Sequence, residues 1–104
     1  MKIVRVTYST KPEYAETNQR NIKNVMAELQ KGNHAGINYH VCLAPDGKTF
    51  THTAFFKAVE DEQILFQTTA FKYFQEQLKA SGPEVPPKQE ILTLVGSSVD
   101  VFRD

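Results

Sequence analysis

"INYHVCLAPDGKTFTHTAFFK", residues 37–57, is the stretch on which the fold turns. Its two runs, "INYHVCL" and "KTFTHTAFFK", are rich in β-branched and aromatic residues, and "APDG" between them is a turn signal. Pro45 presets φ at the second position of a type I turn, and Gly47 accepts the left-handed backbone that follows it. The expected closure is a three-residue loop with a bulge at the glycine, which pairs Ala44 with Lys48. That register sets Cys42 opposite Phe50 and His40 opposite His52. His40, Cys42 and His52 then share one face of a hairpin, because residues two apart on a strand point the same way.

The same register groups Ile37, Tyr39, Val41 and Leu43 with Thr49, Thr51, Thr53 and Phe55. On the other side it groups Asn38, His40, Cys42 and Ala44 with Lys48, Phe50, His52, Ala54 and Phe56. Neither face is plainly solvated. A sheet covered on one side alone should alternate more cleanly, so a second sheet is expected on the open side. The simplest source is another copy of the chain, in a two-fold homodimer.

Outward from the hairpin, residues 2–9, "KIVRVTYS", alternate with period two, Val4, Val6 and Tyr8 facing one way and Ile3, Arg5, Thr7 and Ser9 the other. Pro12 suits a helix start. Ile22, Val25, Met26 and Leu29 carry the helical period up to Gly32, read as the C-terminal glycine. Residues 60–81 form one long second helix with a buried stripe of Ile64, Thr68, Phe71, Phe74 and Leu78, closed by Gly82. "GPEVPPK" is an extended linker. A last strand runs over about residues 89–95, and residues 99–102 add a short tail strand. The order is β-α-β-β-α-β. It predicts an α+β, ferredoxin-like domain over residues 1–104, with four antiparallel strands and both helices on one face, dimerising into an α/β barrel.

Composition narrows the function classes. Lys plus Arg and Asp plus Glu each number 12, so the net charge is zero, which argues against a nucleic-acid partner. No apolar run approaches a membrane span, and the N-terminus lacks a signal peptide's apolar core. The single cysteine, Cys42, fits a reducing, cytoplasmic setting. No phosphate-binding glycine loop or dinucleotide fingerprint occurs, and no cofactor is expected.

"KIVRVTY" followed by a Pro- and Glu-started helix, "TFTHTAFFKAVEDEQIL" running from strand into helix, and the small-residue and Phe cluster "TTAFKYFQEQL" resemble the dimeric α/β-barrel superfamily. That group includes antibiotic-biosynthesis-type monooxygenases, haem-degrading monooxygenases and stress-responsive barrel proteins. The resemblance covers nearly the whole chain. It implies a homodimer with a pocket in each subunit and, in some members, cofactor-independent oxidation or isomerisation of an aromatic or polyketide-like molecule. The departures bear on activity. The helix-two His of many monooxygenase-like members aligns without gaps with Leu65, the acidic residue near the end of the central strand with Ala54, and the bulky aromatic after it with Phe56. The haem-degrading members use an Asn, Trp and His set, and this chain has no Trp. The resemblance therefore points away from haem degradation and from the usual monooxygenase constellation.

The candidate site residues are Arg5, Tyr8, Asn38, His40, His52 and Phe56 around an apolar small-molecule pocket. His40 and His52 are the candidates for a general base, since imidazole titrates near neutrality. With Cys42 on the same face they would also offer three N/S ligands to zinc or copper. Against that stands the plainer reading, a cysteine acting as a small hydrophobe and histidines lining a pocket, and no metal is assigned. Arg5 would meet either a ligand carboxylate, or a carboxylate of a helix or of the partner subunit. Tyr8, Tyr14 and Asn18 gather where the first strand meets the first helix.

Overall fold

In the structure, a computed structural model that describes residues 1–102, the hairpin forms from β2, Ile37–Leu43, and β3, Thr49–Phe56. Its register is one residue away from the expected one. Leu43 pairs with Phe50, Cys42 with Thr51, Val41 with His52 and His40 with Thr53. The cause is in the turn. Gly47 N–H donates to Ala44 O at 3.0 Å, so the type I turn and its left-handed glycine (φ +76°) are as expected. The strands, however, close on Thr49, not Lys48: Ala44 N–H donates to Thr49 O at 2.8 Å. One Asp46 carboxylate oxygen accepts both Lys48 N–H and Thr49 N–H at 2.9 Å, and the other accepts the Thr49 hydroxyl. This clamp holds Lys48 in the loop and lengthens it to four residues.

A slip of one residue exchanges the faces of a strand. Ile37, Tyr39, Val41 and Leu43 thus stand with Phe50, His52, Ala54 and Phe56 on one face. Asn38, His40 and Cys42 stand with Thr49, Thr51, Thr53 and Phe55 on the other. The alternation is now clean, apolar toward the helices and threonine-rich away from them, and the mixed-face argument for a second sheet falls away. So does the proposed three-ligand set, because His52 lies across the sheet from His40 and Cys42.

β1, Lys2–Ser9, lies in the centre, antiparallel to β3 on one side and to β4, Val85–Leu92, on the other, in the order β2-β3-β1-β4. The last strand therefore begins inside the expected linker and ends three residues before the expected limit. Ser9 pairs with Val85 and Thr7 with Lys88, and Pro86 and Pro87 occupy the irregularity between them. Proline lacks the N–H that a ladder needs, and a bulge on an edge strand is where it fits.

The helical layer covers the face of Tyr8 and His52. A 3₁₀ turn, Pro12–Tyr14, leads into α1, Ala15–Gly32, whose buried residues include Asn18, Ile22, Val25 and Leu29. The left-handed cap is Asn33 (φ 50°), one residue beyond the expected Gly32. The expected long second helix is two helices, α2, Val59–Gln67, and α3, Thr69–Ser81. They meet at Thr68, whose backbone is extended (φ −65°, ψ 141°). Its hydroxyl donates to Leu65 O at 2.8 Å and accepts from Phe71 N–H at 3.3 Å, so one side chain ends α2 and caps α3. Periodicity alone hides this break, because Leu65, Phe71, Phe74 and Leu78 are all buried on either side of it.

Residues 99–102 form no strand. After Leu92 the chain leaves one edge of the sheet and reaches the other, where Asn38 Nδ2 donates to Val101 O at 2.9 Å. Asn38 shares the open face with Ile3 and Phe55, so Val101 lies on that side of the sheet. Ile3, also on the side without helices, is only 5% exposed.

Candidate functional site

Between the sheet and the pair α2 and α3 lies a cavity of about 540 Å³. Val6 and Ala54 form its floor, Leu65, Phe71 and Phe74 its far wall, and Pro86 and Gln89 of β4 part of its rim. The apolar residues are there because period-two strands and the α3 stripe turn the same kind of side chain toward one volume. Such a space suits a small apolar molecule, especially with a few polar groups converging on it.

Those polar groups form one chain. α1 presents Asn18, whose Nδ2 donates to Tyr8 Oη at 2.8 Å. Tyr8 Oη lies 2.8 Å from His52 Nε2, and Tyr39 Oη lies 2.6 Å from His52 Nδ1. Four elements thus supply one hydrogen-bonded line, α1, β1, β3 and β2 in turn. Rings brace it: Tyr8 stacks on Phe50 with centroids 5.5 Å apart, and Phe74 lies 5.4 Å from the imidazole. His52 is 6% exposed and Tyr8 1%.

Burial governs the charge of this line. It disfavours the imidazolium and pulls the His52 pKa down to about 4. The same desolvation pushes both Tyr8 and Tyr39 well above the ordinary phenol range; Asn18 partly offsets it at Tyr8, and Tyr8 adds to it at Tyr39. At neutral pH the line is uncharged throughout. His52 has both ring nitrogens engaged by phenols, so it passes hydrogen bonds between them and is not a free base facing solvent.

Of the six candidate residues, Tyr8, His52 and Phe56 come together at this cavity. Arg5, Asn38 and His40 lie on the opposite face of the sheet. Arg5 is held there by Glu90 of β4, Nη2 to Oε1 at 2.7 Å, and this neighbouring strand supplies the carboxylate expected from a helix or a partner. The guanidinium also keeps the Glu90 carboxyl below its usual range. Asn38 holds the tail, and His40 is exposed. Tyr39 escaped the sequence reading, although it is one of the four members of the polar line. Its signal was the apolar period of β2, in which it takes its place with Ile37 and Val41. Leu65, Ala54 and Phe56 all line the cavity.

A larger depression, about 730 Å³, runs along α1 and the outer strand β2 past Met26, Leu29 and Val41. Of the polar line only Tyr39 touches it, whereas Tyr8, His52 and Tyr39 all border the smaller cavity. The smaller cavity is the better candidate because its polar groups are buried and converge.

No protein-family model matches the sequence, and no curated protein matches it. Solved structures do match. One from Bacteroides thetaiotaomicron, provisionally named an antibiotic biosynthesis monooxygenase, superposes with a TM-score of 0.81 at 11% identity, over 95% of this chain and 93% of that one. A second from Nitrosomonas europaea, with the same provisional name, gives 0.75 at 15% identity over 92% and 100%. A third from Deinococcus radiodurans, again so named, gives 0.69 at 17% identity over 99% and 100%. The chain has the ferredoxin-like fold of these structures. At such identities the likeness is one of fold, and function has to be argued from the site.

Proposed function

We propose that the protein binds a small apolar ring compound in the cavity between the sheet and α2 and α3. The observation that carries this reading is the convergence of the buried line from Asn18 to Tyr39 on an otherwise apolar space. Polar groups are costly to bury, and a line of them beside a cavity gives a ligand orientation as well as contact. The test is a titration of isotope-labelled protein with naphthalene-sized ring compounds. Resonances of Val6, Ala54 and Leu65 should shift, and Leu65→Trp, which fills the space, should abolish the effect. Shifts confined to Met26 and Val41 along the α1 groove, or none at all, would sink the reading.

A catalytic version has its own support in the phenol and imidazole line and in the names of the structural neighbours. In it, the substrate is a phenolic or enolisable ring compound. Because both His52 nitrogens are engaged, the substrate would enter as its anion, its proton left with solvent, and that anion is electron-rich enough to react directly with oxygen, the substrate supplying all the electrons. Oxygen uptake with phenolic ring compounds, present in the wild type and lost in His52→Gln, is the expected result; equal uptake in both would exclude it. The superfamily resemblance also supports a homodimer across the open face. With Thr7, Thr51 and Thr53 there, its contacts would be largely hydrogen-bonded, and the tail would lie within them. A monomer by sedimentation at micromolar concentration would rule that out.

A further inference from the structure

The polar line has a direction, and the direction determines what the cavity offers a ligand. A tyrosine hydroxyl has one proton to give. Tyr8 Oη accepts from Asn18 Nδ2, so its own proton goes to the other partner in reach, His52 Nε2 at 2.8 Å. An imidazole that accepts at Nε2 and is neutral carries its proton on Nδ1. That proton is donated to Tyr39 Oη, 2.6 Å away. Tyr39 is then an acceptor within the line, and its own O–H has no further partner among the described residues. Tyr39 stands between the two depressions and borders both, but the line it ends, through His52 and Tyr8, borders the smaller cavity alone.

The opposite direction would require Asn18 to turn its amide round. Asn18 Oδ1 has no protein partner as it stands. Turning the amide would put the NH₂ group in that buried position instead, and an orphaned buried N–H is rarer than an under-satisfied carbonyl. The packing of α1 against Tyr8 thus selects one tautomer of a histidine on another element.

We propose that Tyr39 is the cavity's ligand-orienting donor: Asn18, Tyr8 and His52 hold its O–H free for the cavity, which therefore takes ring compounds bearing a carbonyl- or phenolate-type oxygen in preference to those that can only donate. This rests on the cavity being the binding site. Tyr39 touches the ligand, and the other three are positioning residues that act through it.

Two measurements test it. Long-range ¹H–¹⁵N spectra of the full chain with labelled histidine, with His52 identified by its loss in His52→Gln, report the tautomer without any ligand. The expected result is a protonated Nδ1 and an accepting Nε2, with the Nε2-protonated form appearing in Asn18→Leu. A wild-type His52 protonated at Nε2, or at both nitrogens at neutral pH, overturns the proposal. The second measurement compares 1-tetralone with tetralin, which lacks the oxygen. Their affinity ratio should fall about five- to tenfold in Tyr39→Phe, the worth of one hydrogen bond, with tetralin itself unaffected. An unchanged ratio overturns the donor role of Tyr39. If neither compound reaches the cavity, the binding reading fails separately, and the tautomer still decides the direction of the line.

Discussion

His52 and His40 sit on adjacent strands of one sheet and face opposite ways. His52 is walled in by Tyr8, Tyr39 and Phe74, bonded at both nitrogens and held neutral by burial. His40 is exposed, among threonines and Cys42. The residue type is the same, and the face alone decides whether it is buried beside the cavity or left exposed. The two faces differ in the same way elsewhere: one carries aromatic rings in contact, the other carries Thr7, Thr51, Thr53 and the Arg5–Glu90 pair at 2.7 Å. The ring-lined face is the one that excludes solvent around its polar groups, while the polar groups of the open face pair with one another or stay at least partly exposed.

The contrast can be broken most directly at neighbouring residues of β3. Phe50→Ala opens a hole beneath Tyr8 and should destabilise the fold by about 3–5 kcal/mol in chemical denaturation. The next effect is in pH. Unfolded imidazole titrates near 6.5 and folded His52 at about 4, so between those values the unfolded chain holds the extra proton. Stability then rises with pH through that window, and about 3 kcal/mol is lost as pH falls from 6.5 to 4. Denaturation curves of wild type and His52→Gln across this range should differ in slope by that contribution; parallel curves would mean that His52 is not held neutral. Thr68→Ala removes the cap of α3 and with it part of the cover over His52, a loss of about 1 kcal/mol with a lower thermal midpoint. Thr51→Ala, next to Phe50 but on the open face, should stay within about 0.5 kcal/mol of wild type. If Thr51→Ala proved as damaging as Phe50→Ala, the distinction between the faces would be wrong.

The element order and the ferredoxin-like fold could be read from residues 2–9, the helical stripes and the PDG turn. The site could be read only in part, for one physical reason. Turn chemistry located the hairpin, but loop length set the register, and Asp46 lengthened the loop by binding Lys48 and Thr49 through their backbone N–H groups. The apolar period of the two strands held the missing information, since only the observed register puts Tyr39 and Val41 with His52 and Ala54. Alternation outranks turn type when one face is buried. Tyr8 and His52 were singled out by their residue types, and both border the cavity. Tyr39 looked like packing until it stood beside an imidazole, and the place of Asn18 in the line follows from a contact between helix and strand that no spacing reveals. The break at Thr68 was hidden because an apolar stripe runs through it, whereas a threonine hydroxyl serving two helices is a local event.

The two prolines in the irregular stretch of β4 also bear on how copies of the chain meet in a concentrated solution. A strand at the rim of a sheet invites another strand to add to it through its unpaired backbone groups. At Pro86 and Pro87 that rim has no N–H to offer, and the ladder is already irregular there. β2, at the far rim, has no proline and seven residues in regular register. Intermolecular strand addition, the first step of many aggregates, is therefore directed to β2, and a proline introduced at an outward-facing amide of that strand is the substitution expected to slow it.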